Sequence, residues 1–167
     1  MKLLRNSSVP TLLLGLAIGA GFMLMKDDTP VQAGAANSND KFSMCTVQTT
    51  ALGETEAIFV LDHLTGILRG GLLSAQTGTF TFTYLRNIGA DFQINPATPE
   101  PKYSIVAGPL NLRASGGNQP ANGVVYVAEL TSGACIAYGF AQPRGRGSAV
   151  PLEMVRLDGF QFREAVK

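Results

Sequence analysis

The stretch that decides the fold reads Ile58-Phe59-Val60-Leu61-Asp62-His63-Leu64-Thr65-Gly66. It returns 67 positions later as Val125-Tyr126-Val127-Ala128-Glu129-Leu130-Thr131-Ser132-Gly133, with apolar, aromatic, acidic, hydroxyl and glycine residues in the same order. Each copy predicts a β-strand, a tight turn and a second strand, because β-branched and aromatic residues favour strands over helices. The chain therefore contains a duplicated β-hairpin.

The turn of each copy is defined by an acidic residue and by a glycine four positions later. Asp62 and Glu129 can accept hydrogen bonds from backbone N–H groups at the strand end, and Gly66 and Gly133 can adopt positive φ. A Cβ at either glycine is expected to cost about 1–2 kcal/mol in the left-handed region. These four residues are predicted to be structural.

The similarity between the two halves extends upstream of the hairpins. Lys102-Tyr103-Ser104-Ile105 repeats the pattern of Lys41-Phe42-Ser43-Met44 at a spacing of 61 residues. The segment Asn95–Pro101 separates the halves, because its three prolines cannot join the interior of a sheet. We predict an all-β domain over residues 41–167, whose halves (41–94 and 102–167) each contribute about four antiparallel strands. These two units are expected to pack as a small sandwich or barrel-like domain.

The last strand of each half is predicted from its local pattern. Thr79–Tyr84 alternates threonine with aromatic residues, which is typical of a half-buried antiparallel strand. This alternation predicts that Phe80, Phe82 and Tyr84 share the face that packs on the core. Leu152–Leu157 is predicted as the corresponding strand of the second half.

The N-terminal 33 residues predict a signal anchor or a cleaved signal peptide, which is a hydrophobic helix ahead of the β domain. Lys2 and Arg5 give a positive start, and an uncharged apolar run follows from Thr11 to Met25. Extended to residues 9–25, the run barely spans a bilayer, which favours an anchor in the membrane. Val31-Gln32-Ala33 favours cleavage after Ala33 instead.

Both alternatives place the rest of the chain outside the cytoplasm. The expected location is the cell envelope, either anchored in the inner membrane and facing the periplasm, or periplasmic or secreted after cleavage. Residues 34–40 are small and polar, and they predict a flexible tether.

Charge argues against a nucleic-acid partner. The 167-residue chain has a net charge of +1, and from Gly34 onward it carries ten basic and ten acidic residues. A protein that binds nucleic acid needs a basic face that replaces phosphate counterions. The partner is therefore expected to be a protein or a glycan.

Few residues suggest chemistry of their own. His63 is the only histidine and is expected to be a surface turn residue, because a zinc site needs three or four converging ligands. No cofactor, metal or catalytic residue is predicted. Cys45 and Cys135 predict either a disulfide between the halves or two small buried residues. Arg144 and Arg146 lie in a glycine-rich loop that could contact an anionic glycan or lipid head group, or that is simply solvated.

The hairpin Phe59–Gly66 resembles the Asp-x-x-Thr-Gly hairpins in the blades of quinoprotein-type β-propellers. The resemblance covers about a dozen residues in each half, and the second copy has Glu129 and Ser132 in the Asp and Thr places. Two such units are too few for a propeller, which has about four to eight blades. The plan of the chain also resembles small exported or membrane-anchored bacterial β proteins without a known activity.

The expected function follows from this organisation. We expect an extracytoplasmic, non-enzymatic β domain that acts as a binding or structural module. One alternative is a small hydrolase-like enzyme that uses Asp62 and His63. Another is a blade-like subunit of a homo-oligomeric ring.

Overall fold

The computed structural model of the chain describes residues 36–49, 56–94, 101–113, 119–142, 145 and 147–163. The chain divides into two compact units, Met1–Gln32 and Ala33–Lys167. All described residues belong to the second unit, so the predicted signal segment lies outside them. Among the described residues, no helix has the length and apolar character needed to cross a membrane.

The described residues form an all-β fold with one short helix. The strands are β1 (Ala36–Ser38), β2 (Phe42–Gln48), β3 (Glu56–Asp62), β4 (Ile67–Leu73), β5 (Phe80–Asn87), β6 (Tyr103–Pro109), β7 (Pro120–Glu129), β8 (Ala134–Ala141), β9 (Leu152–Glu153) and β10 (Val155–Gln161). Helix α1 (Ile88–Asp91) follows β5 and begins where the Asn87 side chain accepts a hydrogen bond from the Ala90 N–H.

The strands form two sheets. The first sheet has the order β1-β2-β3-β4-β5-β9 and is mixed, because β9 pairs with β5 in parallel. The second sheet has the order β10-β8-β7-β6 and is antiparallel throughout. The strands β2–β5 and the strands β6, β7, β8 and β10 thus form two four-stranded meanders, one from each half of the sequence.

The two sheets face each other across one hydrophobic core. The ring of Phe140 on β8 lies 5.0 Å from that of Phe59 on β3 and 5.3 Å from that of Tyr84 on β5. The Tyr84 hydroxyl also donates a hydrogen bond to the carbonyl of Ala141. Both sheets supply residues to this core, including Cys45, Val47, Ala57, Leu61, Leu68, Leu72, Phe82, Tyr103, Ile105, Val125, Val127, Ile136 and Tyr138.

The Gly70-Gly71 pair of β4 lies beneath aromatic rings. The Phe59 ring occupies the space that a Cβ at Gly70 would need, and a Cβ at Gly71 would approach Cδ1 of Phe80 to 2.9 Å. Glycine lets the rings lie directly on the backbone of the strand.

Phe80 does not share the core face with Phe82 and Tyr84, so the prediction for this residue was wrong. It is 60% exposed, whereas the other two rings are buried. The cause is a β-bulge: Leu72 pairs with Phe82 but Leu73 pairs with Phe80, which leaves one extra residue on β5. Because side chains alternate along a strand, one extra residue moves Phe80 to the outer face.

The predicted strand Leu152–Leu157 is divided in the structure. β9 ends at Glu153 and belongs to the first sheet, whereas β10 begins at Val155 and belongs to the second. Met154 lies between them with its side chain fully buried, and its N–H donates to the carbonyl of Leu85. The chain crosses from one sheet to the other at this buried side chain.

The predicted tether contains a strand. Residues Ala36–Ser38 form β1 and pair with β2, although all three are exposed. The strand is held by backbone hydrogen bonds to the free edge of β2, and a burial pattern cannot indicate such a strand. The Asn39 side chain closes the turn between the two strands by accepting from the N–H groups of Lys41 and Phe42.

Candidate functional site

The two hairpin turns have the same construction. In the first, the Asp62 carboxylate accepts from the N–H groups of Leu64 at 2.9 Å and Thr65 at 3.4 Å. The Gly66 N–H donates to the Asp62 carbonyl at 2.9 Å, and Gly66 has φ of +63°. The Asp62 side chain therefore stabilises its own turn.

The second turn repeats these bonds with a longer acidic side chain. Glu129 accepts from the N–H groups of Thr131 at 2.9 Å and Ser132 at 2.6 Å, using one oxygen for each. The Gly133 N–H donates to the Glu129 carbonyl at 3.0 Å, and Gly133 has φ of +73°. The structure thus places Asp62, Gly66, Glu129 and Gly133 at equivalent points of the two hairpins.

Both acidic side chains are held in the ionised form. Burial acts to raise the pKa of Asp62, but the hydrogen bonds from Thr65 and Leu64 outweigh it and lower that pKa below its usual value. Burial also acts to raise the pKa of Glu129, but the hydrogen bonds from Ser132 and Thr131 outweigh it and lower that pKa. A carboxylate engaged in this way is poorly suited to act as a general base.

His63 is buried rather than exposed at the surface, which corrects the prediction. Its side chain is 5% exposed and packs edge-on against Tyr103, with ring centroids 5.5 Å apart. The backbone N–H of His63 donates to the carbonyl of Lys41, and this bond holds the turn against the start of β2. Leu130 makes the equivalent bond to Lys102. Burial lowers the pKa of His63, and hydrogen bonding to the Asp40 backbone partly offsets this.

A small polar network connects His63 to β1 and β2. Nε2 of His63 lies 2.7 Å from the Ser43 hydroxyl, which lies 2.7 Å from the Ser38 hydroxyl and donates to the Tyr103 carbonyl at 3.3 Å. Sequence reasoning missed Ser43, although its alternation with Cys45 and Val47 along β2 places it on the inner face. Ser43 is fully buried, so a substrate would not reach its hydroxyl.

A second polar cluster lies on the first sheet beside α1. Arg86 donates from Nε and Nη2 to the two oxygens of Asp91 at 2.8 and 2.7 Å, and from Nη1 to Glu153 at 2.9 Å. The hydrogen bonds from Arg86 lower the pKa of Asp91. A surface depression of about 440 Å³ adjoins these residues. Because Arg86 is paired with both carboxylates, the cluster is a structural ion-pair network that links β5 to β9.

The described residues contain no group of three or more histidine, cysteine, aspartate or glutamate side chains that could hold a metal ion. Cys45 and Cys135 are both free. Cys45 lies in the core, whereas Cys135 follows the outward alternation of β8, so the structure does not contain the disulfide considered above. Arg144 and Arg146 lie outside the described residues.

The outer faces of both sheets carry uncovered apolar side chains. On the first sheet these include Phe42, Met44, Leu73 and Phe80, and on the second they include Val106, Tyr126, Val155, Leu157 and Phe160. Some of these side chains are cross-strand neighbours: Leu73 pairs with Phe80 on the first sheet, and Val106 pairs with Tyr126 on the second. Exposed apolar side chains grouped on one face of a sheet are typical of interaction sites.

Comparisons of the chain with protein-family models, with curated proteins and with solved structures gave no significant match.

Proposed function

We propose that the chain is an extracytoplasmic binding or structural module, either anchored in the membrane or secreted, whose outer sheet faces dock a protein partner. The observation that carries the proposal is the exposed apolar surface on both sheets. An isolated β domain that faced only water would carry polar side chains on its outer faces. Here Phe42 and Met44 project side by side from β2, and Met44 pairs with Val60 on β3.

The polar residues of the domain support a binding role rather than catalysis. Asp62 stabilises its own turn, while His63 bonds to Ser43 on the inner side. Asp62 and His63, which the hydrolase hypothesis would use together, therefore bond to different groups of the domain. Replacing His63 with Ala in a folded protein should leave recovery of the partner intact. Loss of an assayable activity without loss of the fold would favour the enzyme instead.

The docking proposal can be tested by covalent surface labelling with a carbene reagent, read residue by residue. The full chain is labelled in the cell fraction that contains it and again after purification and dilution. We expect Phe42, Met44 and Tyr126 to be protected in the cell fraction and labelled after dilution. Leu64, which is 80% exposed at the tip of the first turn, should be labelled equally in both and serves as the control. Labelling of the outer faces in the cell fraction as strong as that of Leu64 would overturn the proposal.

A further inference from the structure

The two halves of the domain can be aligned residue by residue through their strand pairing. Phe42 pairs with Asp62 in the first sheet, and Tyr103 pairs with Glu129 in the second. The alignment equates β2 with β6, β3 with β7, and β4 with β8. The Ile88 N–H donates to the Gly66 carbonyl and the Phe162 N–H donates to the Gly133 carbonyl, so the alignment also extends past the fourth strand of each meander.

Aligned residues of the two halves face opposite sides of their sheets. Phe59 is buried in the core, but its equivalent Tyr126 points to the outer face. Val60 lies on the outer face of β3, but its equivalent Val127 is buried in the core. The sheets therefore do not present the same face to each other.

Aligned residues also face opposite sides on the first and third strands of the two meanders. Cys45 is buried and its equivalent Val106 is exposed, whereas Met44 is exposed and its equivalent Ile105 is buried. On the third strand, Leu73 is exposed while its equivalent Phe140 is buried. Every repeat unit thus has two different faces, and one face of the first unit packs on the other face of the second.

We call the face that carries Phe59 in the first unit and Tyr126 in the second the leading face. The opposite face, which carries Leu73 in the first unit and Phe140 in the second, is the trailing face. Inside the chain, the leading face of the first unit covers the trailing face of the second. The trailing face of the first unit and the leading face of the second remain uncovered.

We propose that a second copy of this chain packs its free trailing face on the free leading face of the first copy. This inference rests on the proposed function, since it names the partner of the same surfaces. The contact between copies continues the interface that already exists between the two sheets. Such a head-to-tail contact forms a ring when its rotation closes. Rings of this kind have about four to eight sheets, which corresponds to about two to four copies of a two-sheet chain.

The internal interface identifies the residues that should meet between copies. The Phe59–Phe140 contact corresponds to Tyr126 of one copy against Leu73 of the next. The His63–Tyr103 contact, with ring centroids 5.5 Å apart, corresponds to Leu130 against Phe42. All four of these apolar side chains are between 37% and 45% exposed, while their counterparts in the chain are at most 5% exposed.

One end of the free leading face is already covered. Leu157 and Leu112 lie over Gly139, where an added Cβ would meet their methyl groups at 3.2 and 3.5 Å. The contact between copies is therefore centred on Val106, Tyr126 and Leu130, toward the hairpin turn.

Disulfide trapping tests the contact and its direction. Two full-length variants are made in a Cys135→Ser background, one with Leu73→Cys and the other with Tyr126→Cys. Mild oxidation of the mixture should give a covalent dimer, while either variant alone should stay monomeric. A dimer from one variant alone would indicate a face-to-face contact and would overturn the proposal. The two introduced cysteines are in different chains, so this bond can form only between copies.

Light scattering of the purified full-length protein in a mild detergent provides the second measurement. The wild type should have a mass that is a multiple of the single-chain mass, and Tyr126→Lys should reduce it to one chain. Val150→Lys, which changes an exposed apolar side chain outside the strands of both sheets, should leave the mass unchanged.

A monomeric wild type, together with no covalent dimer from the mixed cysteine variants, would refute the proposal that a second copy covers these faces. If the outer faces were still protected from labelling in the cell fraction, the proposed function would stand with a different protein as the partner. If that protection were also absent, both proposals would fail.

Discussion

The Ser43 hydroxyl lies 2.7 Å from Nε2 of His63, and both side chains are almost completely buried where the first hairpin turn meets β2. Replacing His63 with Ala removes this bond and the contact with Tyr103. We expect it to destabilise the fold by about 1–3 kcal/mol, the cost of an unsatisfied buried polar group. Chemical denaturation measures the change.

Leu64→Ala is the control, because this neighbouring side chain is largely exposed and should change stability by less than about 0.5 kcal/mol. Equal stability of both variants would contradict the structural role of His63.

The same histidine should make stability depend on pH. Burial lowers the pKa of His63 in the folded protein, while the unfolded value is about 6.5. The unfolded state therefore binds more protons as the pH falls below about 6.5, and folding stability decreases until the folded pKa is reached. For one titrating group, folding stability cannot change by more than about 1.4 kcal/mol per pH unit. Urea midpoints at several values between about pH 5 and 8 should show the decrease, and His63→Gln should remove it.

Asp91 affects folding stability in a lower pH range than His63 does. Hydrogen bonds from Arg86 lower the pKa of Asp91, so its contribution is present above about pH 4 and is lost only as the pH falls further.

The two turn glycines are expected to be less replaceable than a third glycine with similar φ. Gly66→Ala places a Cβ 3.0 Å from N and Cα of Gly89, and Gly133→Ala places one against the side chain of Arg163. Gly78 has φ of +66° but open space around it, so Gly78→Ala should cost only the backbone strain of about 1–2 kcal/mol. Thermal unfolding should show a larger loss for Gly66→Ala than for Gly78→Ala. Gly66→Val should lower the melting temperature further, and an unchanged value would count against the turn geometry.

The Arg86 cluster should contribute unequally through its two carboxylates. Asp91 is largely buried and bonds to two nitrogens of Arg86, so Asp91→Ala should cost about 1–3 kcal/mol. Glu153 is 79% exposed, and Glu153→Ala should cost less than about 0.5 kcal/mol, because solvent screens an exposed ion pair. Urea unfolding of the two variants gives both numbers. A larger loss of stability for Glu153→Ala than for Asp91→Ala would mean that the exposed ion pair with β9 contributes more to stability.

The thiols should react at different rates. Burial raises the pKa of Cys45 to about 12 and raises that of Cys135 less, and Cys135 is the more accessible of the two. A thiol reagent should therefore label Cys135 first in the folded protein. After denaturation without a reducing agent, both cysteines should be labelled. A denatured protein with no free thiol would show a disulfide between them.

The repeated hairpin was predictable because its geometry is encoded locally. An acidic residue and a glycine four positions apart fix the turn, and both copies show the same bonds. The outward position of Phe80 was not predictable, because it depends on one extra residue in the pairing of β4 with β5. The burial of His63 depends on Ser43 and Tyr103, which lie 20 residues before it and 40 after it. β1 pairs with β2 through its backbone and through the Ser38–Ser43 hydroxyl contact, and its sequence has no burial pattern.

Two adjacent short strands determine when folding can be completed. β9 and β10 are separated by Met154 alone, yet they lie in different sheets. During synthesis from the N-terminus, the first meander can form early, but its β5 edge stays open until β9 arrives about 65 residues later. Formation of the complete core must then wait until Met154 and β10 have been synthesised. Loss of the last 15 or so residues would remove an edge strand from the second sheet and also expose the Met154 site, so a truncated chain should accumulate as an aggregation-prone intermediate.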